Sequence, residues 1–125
     1  MKFVSNDISI SDSEYGCQIC FSDEVDNGNK SQNNNSDSLG NYILLQRTYP
    51  EDDFDKDYSY IEFSDFGKSG ALKNYKMNLY RNRLLIYYKN ENIEILFDVK
   101  DSKYQKIKKV MQNITTQNGE LIIHD

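Results

Sequence analysis

The sequence predicts an α+β fold: a meandering, mostly antiparallel β-sheet with one C-terminal amphipathic helix packed on it. Two observations carry this expectation. From the N-terminus to Asp98, short segments alternate apolar and polar side chains at period two, as half-buried strands require. After Asp98 the period changes, and Tyr104, Ile107, Met111 and Ile114 recur at three and four residues, the spacing of one helix face. The length of 125 residues, 38% of them hydrophobic, suits one domain over 1–125 with a core that needs no disulfides.

In chain order, residues 2–10 read as a strand in which Ile8 and Ile10 alternate with Asp7 and Ser9. Tyr15, Cys17, Ile19 and Phe21 share one face of a second strand, and the polar turn Asp12-Ser13-Glu14 makes the two a hairpin. Residues 23–38 have almost no apolar side chains, so they read as a mobile polar loop within the domain. Asn41 to Arg47 is a continuous apolar run, which predicts a central strand covered on both faces, ended by Tyr49-Pro50. The acidic stretch Glu51-Asp52-Asp53-Phe54-Asp55-Lys56-Asp57 follows. Tyr58 to Ser64 forms the next strand, with Ile61 and Phe63 on one face and Tyr60 and Glu62 on the other; Gly67 and Gly70 mark a turn.

Residues 72–98 predict a three-strand meander. Tyr75, Met77 and Leu79 line its first strand, Leu84 to Tyr88 its second, and Ile93, Ile95 and Phe97 its third. The turns fall at Arg81-Asn82-Arg83 and Asn90-Glu91-Asn92. The helix spans roughly 101–116, capped by Asp101 or Ser102 and stopped at Asn118-Gly119; Lys103, Lys106, Lys108 and Lys109 line its solvated face. Leu121-Ile122-Ile123 is a last short strand.

The net charge of −5 is unevenly spread. Residues 1–70 carry five Lys/Arg against fourteen Asp/Glu, a net of −9, while residues 71–125 carry ten against six, a net of +4. An acidic first half repels nucleic acid and membrane phosphates and attracts basic proteins. No apolar run approaches the roughly 20 residues of a membrane span, and the start lacks an export signal, so the expectation is a cytoplasmic chain that binds neither nucleic acid nor membrane.

The candidates for chemistry are few. Cys17-Gln18-Ile19-Cys20 is a CxxC, but a structural zinc site needs four ligands and the chain offers two Cys and one His. A redox CxxC sits at a helix N-terminus; strand alternation puts these two thiols on opposite faces, one in the core and one at the surface, both reduced. His124 is the only histidine, and a chain terminus that frays makes a poor catalytic base. Gly67-Lys68-Ser69-Gly70 lacks the preceding glycine of a phosphate loop and reads as a turn. The expectation is therefore no enzyme, no catalytic residues, no metal and no cofactor.

The acidic stretch has several readings. It is a hard-cation site, although without the central glycine and final glutamate of an EF-hand; a carboxylate pair for glycoside chemistry; a solvated loop; or a docking surface for a basic partner. The flanking aromatics favour docking, because aromatic side chains within complementary charge are what a tight interface uses. The candidate partner-binding residues are Tyr49, Glu51, Asp52, Asp53, Phe54, Asp55, Asp57, Tyr58, Tyr60 and Glu62.

Three stretches resemble the immunity protein 10 family of bacterial polymorphic-toxin systems: Tyr42-Ile43-Leu44-Leu45-Gln46-Arg47; Tyr60-Ile61-Glu62-Phe63 with Asp65-Phe66-Gly67-Lys68-Ser69-Gly70; and Arg81-Asn82-Arg83-Leu84. The order of elements agrees over nearly the whole chain, with the Asn-rich loop as an insertion and without the tryptophan of that family. The resemblance implies a cytosolic immunity protein that binds and neutralises the C-terminal domain of a cognate toxin. That domain would be a basic nuclease delivered by contact-dependent growth inhibition, and the free inhibitor a monomer or weak dimer. Two other classes stay open: a small-molecule-binding or enzymatic α+β domain in which Glu62, Tyr60, Arg47 and Arg81 converge on a pocket, and a homo-oligomeric structural subunit.

Overall fold

A computed structural model of the chain describes residues 1–23, 40–50 and 57–124. The strands are β1 (Lys2–Val4), β2 (Asp7–Ser13), β3 (Gly16–Ser22), β4 (Tyr42–Thr48), β5 (Tyr58–Phe63), β6 (Gly70–Ala71), β7 (Tyr75–Tyr80), β8 (Arg83–Tyr88), β9 (Glu91–Leu96) and β10 (Gly119–His124), with helix α1 (Asp101–Ile114) before the last strand. The fold is α+β, as alternation and helical period predict, and its strands divide between two sheets. One has the order β2-β3-β4-β5-β6 and is antiparallel throughout. The other, β1-β9-β8-β7-β10, has an antiparallel centre and two parallel edges, β1 on β9 and β10 on β7.

Each sheet buries one face. Ile19, Phe21, Ile43, Leu45, Ile61 and Phe63 point inward from the antiparallel sheet; Met77, Leu79, Leu84, Ile86 and Ile95 do so from the mixed sheet. The layers meet where Phe21 lies against Phe97 at 6.0 Å and Phe63 stacks on Tyr88 at 6.1 Å. Helix α1 touches β2, β3 and β4 on one side and β10 on the other, burying Tyr104, Ile107, Val110, Met111 and Ile114. Each such aliphatic side chain contributes about 1.5–3 kcal/mol.

Residues 2–10 are not one strand, because the chain changes sheets at Ser5-Asn6. The Ser5 amide donates to Leu96 O in the mixed sheet at 2.7 Å, and the Asn6 amide to Ser22 O in the antiparallel sheet at 2.8 Å. The buried Ser5 hydroxyl completes the crossing, donating to Asp7 O at 2.8 Å and accepting from the Ser22 amide at 3.1 Å. β2 and β3 do form the predicted hairpin, but β2 runs on through Ser13 and leaves Tyr15 exposed at the turn.

β4 is central in its sheet yet covered on one face only: Ile43 and Leu45 are buried, while Tyr42, Leu44 and Gln46 stay partly exposed. The turn after β8 falls at Lys89-Asn90, whose φ angles of 48° and 65° match the hairpin twist. α1 ends at Ile114, and its N-cap is Lys100 with no side-chain cap bond; Asp101 lies in the first turn, held by Arg81 at 2.7 Å. The polar loop expected at 23–38 falls outside the described residues except for Asp23, which pairs with Asn41 at the base of the β3–β4 connection.

Candidate functional site

Because strand residues alternate faces, covering one side of β3, β4 and β5 leaves the other turned away from the core and partly exposed, the open face of this sheet. Register aligns Cys20 with Leu44 and Glu62, and Gln18 with Gln46 and Tyr60, across that open face. Glu62 is its electrostatic centre. Its carboxylate accepts the Tyr42 hydroxyl at 2.6 Å and the Tyr60 hydroxyl at 3.2 Å. Neither donor is cationic, and no described cation forms an ion pair with this carboxylate. The bond to Glu62, with burial, pushes the Tyr42 phenol up to about 12. Tyr60 is raised by desolvation and by the same carboxylate. Cys20, whose thiol is raised by burial and by the charges of Asp7 and Glu62, lies beside this cluster. Tyr58 is 48% exposed at the far end of β5.

The predicted binding residues therefore separate. Tyr58, Tyr60 and Glu62 share the open face. Asp57 and Tyr49 lie around Arg47, which points from β4 toward the helix. Arg47 grips Asp57 through Nε at 2.9 Å and Nη2 at 2.6 Å, donates Nη1 to Asn113 O at 2.8 Å, and sits 5.0 Å from the Tyr49 ring centre. The Arg47 bond holds Asp57 below its usual range. The Tyr49 phenol is raised mainly by its hydrogen bond with the Cys17 thiol. Glu51, Asp52, Asp53, Phe54 and Asp55 lie outside the described residues, and with them the hard-cation and carboxylate-pair readings of that loop.

Sequence reasoning missed Tyr42, Leu44 and Cys20. The signal was present: the alternation in Tyr42-Ile43-Leu44-Leu45-Gln46 assigns Tyr42, Leu44 and Gln46 to one face. The Cys pair divides as expected, Cys17 buried and Cys20 partly exposed, both free. Burial raises the Cys17 thiol, as it does Cys20, the opposite of an activated thiolate.

Glu62, Tyr60, Arg47 and Arg81 do not converge. Arg47 projects from the opposite face of the sheet to Tyr60 and Glu62, and borders a shallow recess of about 230 Å³ with Gln18, Gln46 and Thr48. Arg81 is at the β7–β8 turn, bonded to Asp101 and to Val99 O at 2.8 Å. His124 is held in β10 rather than frayed, stacked 4.4 Å from Tyr80. Among the described residues no group of His, Cys, Asp and Glu is arranged to hold a metal, and no helix is long and apolar enough to cross a membrane. No protein-family model, curated protein sequence or solved structure matches the chain.

Proposed function

We propose that this chain is an immunity-type inhibitor: a cytosolic protein that binds the basic C-terminal domain of a contact-delivered toxin through the open face of β3–β5. The observation that carries the reading is Glu62, whose charge is hydrogen-bonded by Tyr42 and Tyr60 yet not neutralised by any described cation. A carboxylate set among tyrosine rings is complementary to a guanidinium or ammonium group, which gains an ion pair and contact with aromatic faces together. Partly exposed Leu44 supplies apolar surface next to it. The acidic first half of the chain builds this sheet, so the surrounding field favours encounter with a basic domain. The three sequence stretches that resemble immunity protein 10 support the same reading.

The test looks beside the gene for one encoding a large secreted protein and pairs the chain with the C-terminal domain of that protein. Calorimetry is expected to give a one-to-one complex that weakens as salt rises, and co-expression to rescue growth. Glu62→Lys is expected to raise the dissociation constant at least about tenfold, the scale of one lost interfacial charge pair. Folded protein that neither binds nor rescues would overturn the proposal. Undiminished binding by Glu62→Lys would move the interface off this face.

A further inference from the structure

We infer that β10 is a self-association edge, along which a second copy of this chain pairs antiparallel and joins the two mixed sheets into one. An edge strand presents unpaired N–H and C=O groups, which proteins guard by shortness, charge or proline. Three of the four edges are guarded. β1 has three residues, β6 has two, and β2 carries Asp7 and Asp12. β10 is different. Among the described residues it is the longest run of apolar side chains on an edge: six residues in unbroken register with β7 that carry Leu121, Ile122 and Ile123, with Glu120 as the single carboxylate and neither lysine nor proline. Leu121 and Ile123 lean on the core, while Ile122 and His124 point to the open face of the mixed sheet.

This strand is complementary to itself. Residues opposite one another in an antiparallel pair share a face, so only alternate registers keep inward residues inward. Centring the two-fold axis on Ile122 sets Ile122 against Ile122, Leu121 against Ile123, and Glu120 against His124 of the second copy. Apolar groups meet apolar groups, and carboxylate meets imidazole. Centring it on Leu121 instead would set Glu120 against Ile122, a poorer match. His124 is already posed for the first register. Its ring stacks on Tyr80 at 4.4 Å with 9° between planes, and its Nε2 donates to Asn78 Oδ1 at 2.9 Å, which leaves Nδ1 facing outward, where a proton on it would be the donor to Glu120 of the second copy. Tyr80 is held in turn by Arg83, whose guanidinium lies 4.4 Å from its ring centre. The contact is isologous and therefore closes at two copies. The face proposed for the toxin belongs to the other sheet and remains open in both, so this inference stands apart from that reading.

The full chain is to be weighed by sedimentation velocity from low micromolar to submillimolar concentration, where its mass is expected to rise from one chain to two. Ile122→Lys, on the open face, is expected to keep the circular dichroism of the parent and weaken the dimer at least about tenfold. His124→Glu sets two carboxylates together and is expected to weaken it as well, while the exchanged pair Glu120→His with His124→Glu restores it. In a Cys20→Ser background, Ile122→Cys is expected to form a disulfide dimer faster than Glu120→Cys, because only the residue on the axis meets its own copy. A single-chain mass at every concentration, an undiminished dimer in folded Ile122→Lys, or equal cross-linking at the two positions would each overturn the inference.

Discussion

Arg47 ties three parts of the molecule together: the end of β4, the entry to β5 through Asp57, and the end of α1 through Asn113 O. Gln117 adds a third donor to the same carboxylate at 3.1 Å. The pair is largely shielded, with side chains 18% and 20% exposed, so it is worth more than a surface ion pair. Asp57→Asn is expected to cost about 2 kcal/mol at neutral pH, because it leaves a half-buried guanidinium without its charge partner. The sign with pH follows from the lowered carboxyl. Its folded-state value is below the ordinary 3.8, so the contribution is complete above that value and lost as pH falls through the lower one. Urea denaturation across an acid series checks this: parent and variant stabilities should converge at the acid end. The Tyr42–Glu62 bond has the opposite dependence. Tyr42 is raised from 10 to about 12, so what the neutral phenol contributes is present below 10 and lost as pH climbs through 12. Ultraviolet titration of the phenols should show a late component that Tyr42→Phe removes and Glu62→Gln moves to lower pH. Tyr75 is also raised to about 12, but by burial, and its late component should survive both changes.

At the scale of elements, what was legible in the sequence was local and what was not was long-range. Period-two alternation located β3, β5, β7 and β9 and the side of each that is buried, and located β8 without its side, since that pattern depends only on neighbours along the chain. It could not assign strands to sheets. The partners β1 and β9 lie about ninety residues apart, and the break between β1 and β2 leaves no mark but a polar Ser5-Asn6. The open face of β4 was hidden for a related reason: Leu44 made the run look covered on both sides, and only its neighbours Glu62, Tyr42 and Cys20 explain a leucine there. Of the candidate site, Tyr58, Tyr60 and Glu62 were readable from alternation within β5, whereas Tyr42 joins them from another strand. The sheet crossing makes its own prediction. Ser5→Ala removes the hydroxyl that serves both Asp7 O and the Ser22 amide, and is expected to cost about 1–2 kcal/mol in thermal or urea unfolding. Ser5→Thr, which keeps the hydroxyl, should recover part of that loss.

For the whole molecule, the uneven charge of the sequence becomes a difference between layers. Among the described residues, the strands between Asp7 and Ala71 build the antiparallel sheet, and the mixed sheet and helix draw almost entirely on the later, cationic residues. The two layers share one hydrophobic cluster, and α1 is the element that touches both. Ile107, fully buried on its inner face, is the place to ask whether the sheets are one cooperative unit. Ile107→Ala is expected to cost about 3 kcal/mol, the usual sum of lost transfer energy and residual cavity. If the helix couples the layers, hydrogen exchange in β3 and β4 and in β7 and β8 should accelerate by the same factor, because each amide then exchanges through a common global opening. Acceleration confined to β3 and β4 would instead show that the mixed sheet holds together without the wedge. The contact between Phe63 and Tyr88 would then not suffice to make the layers open together.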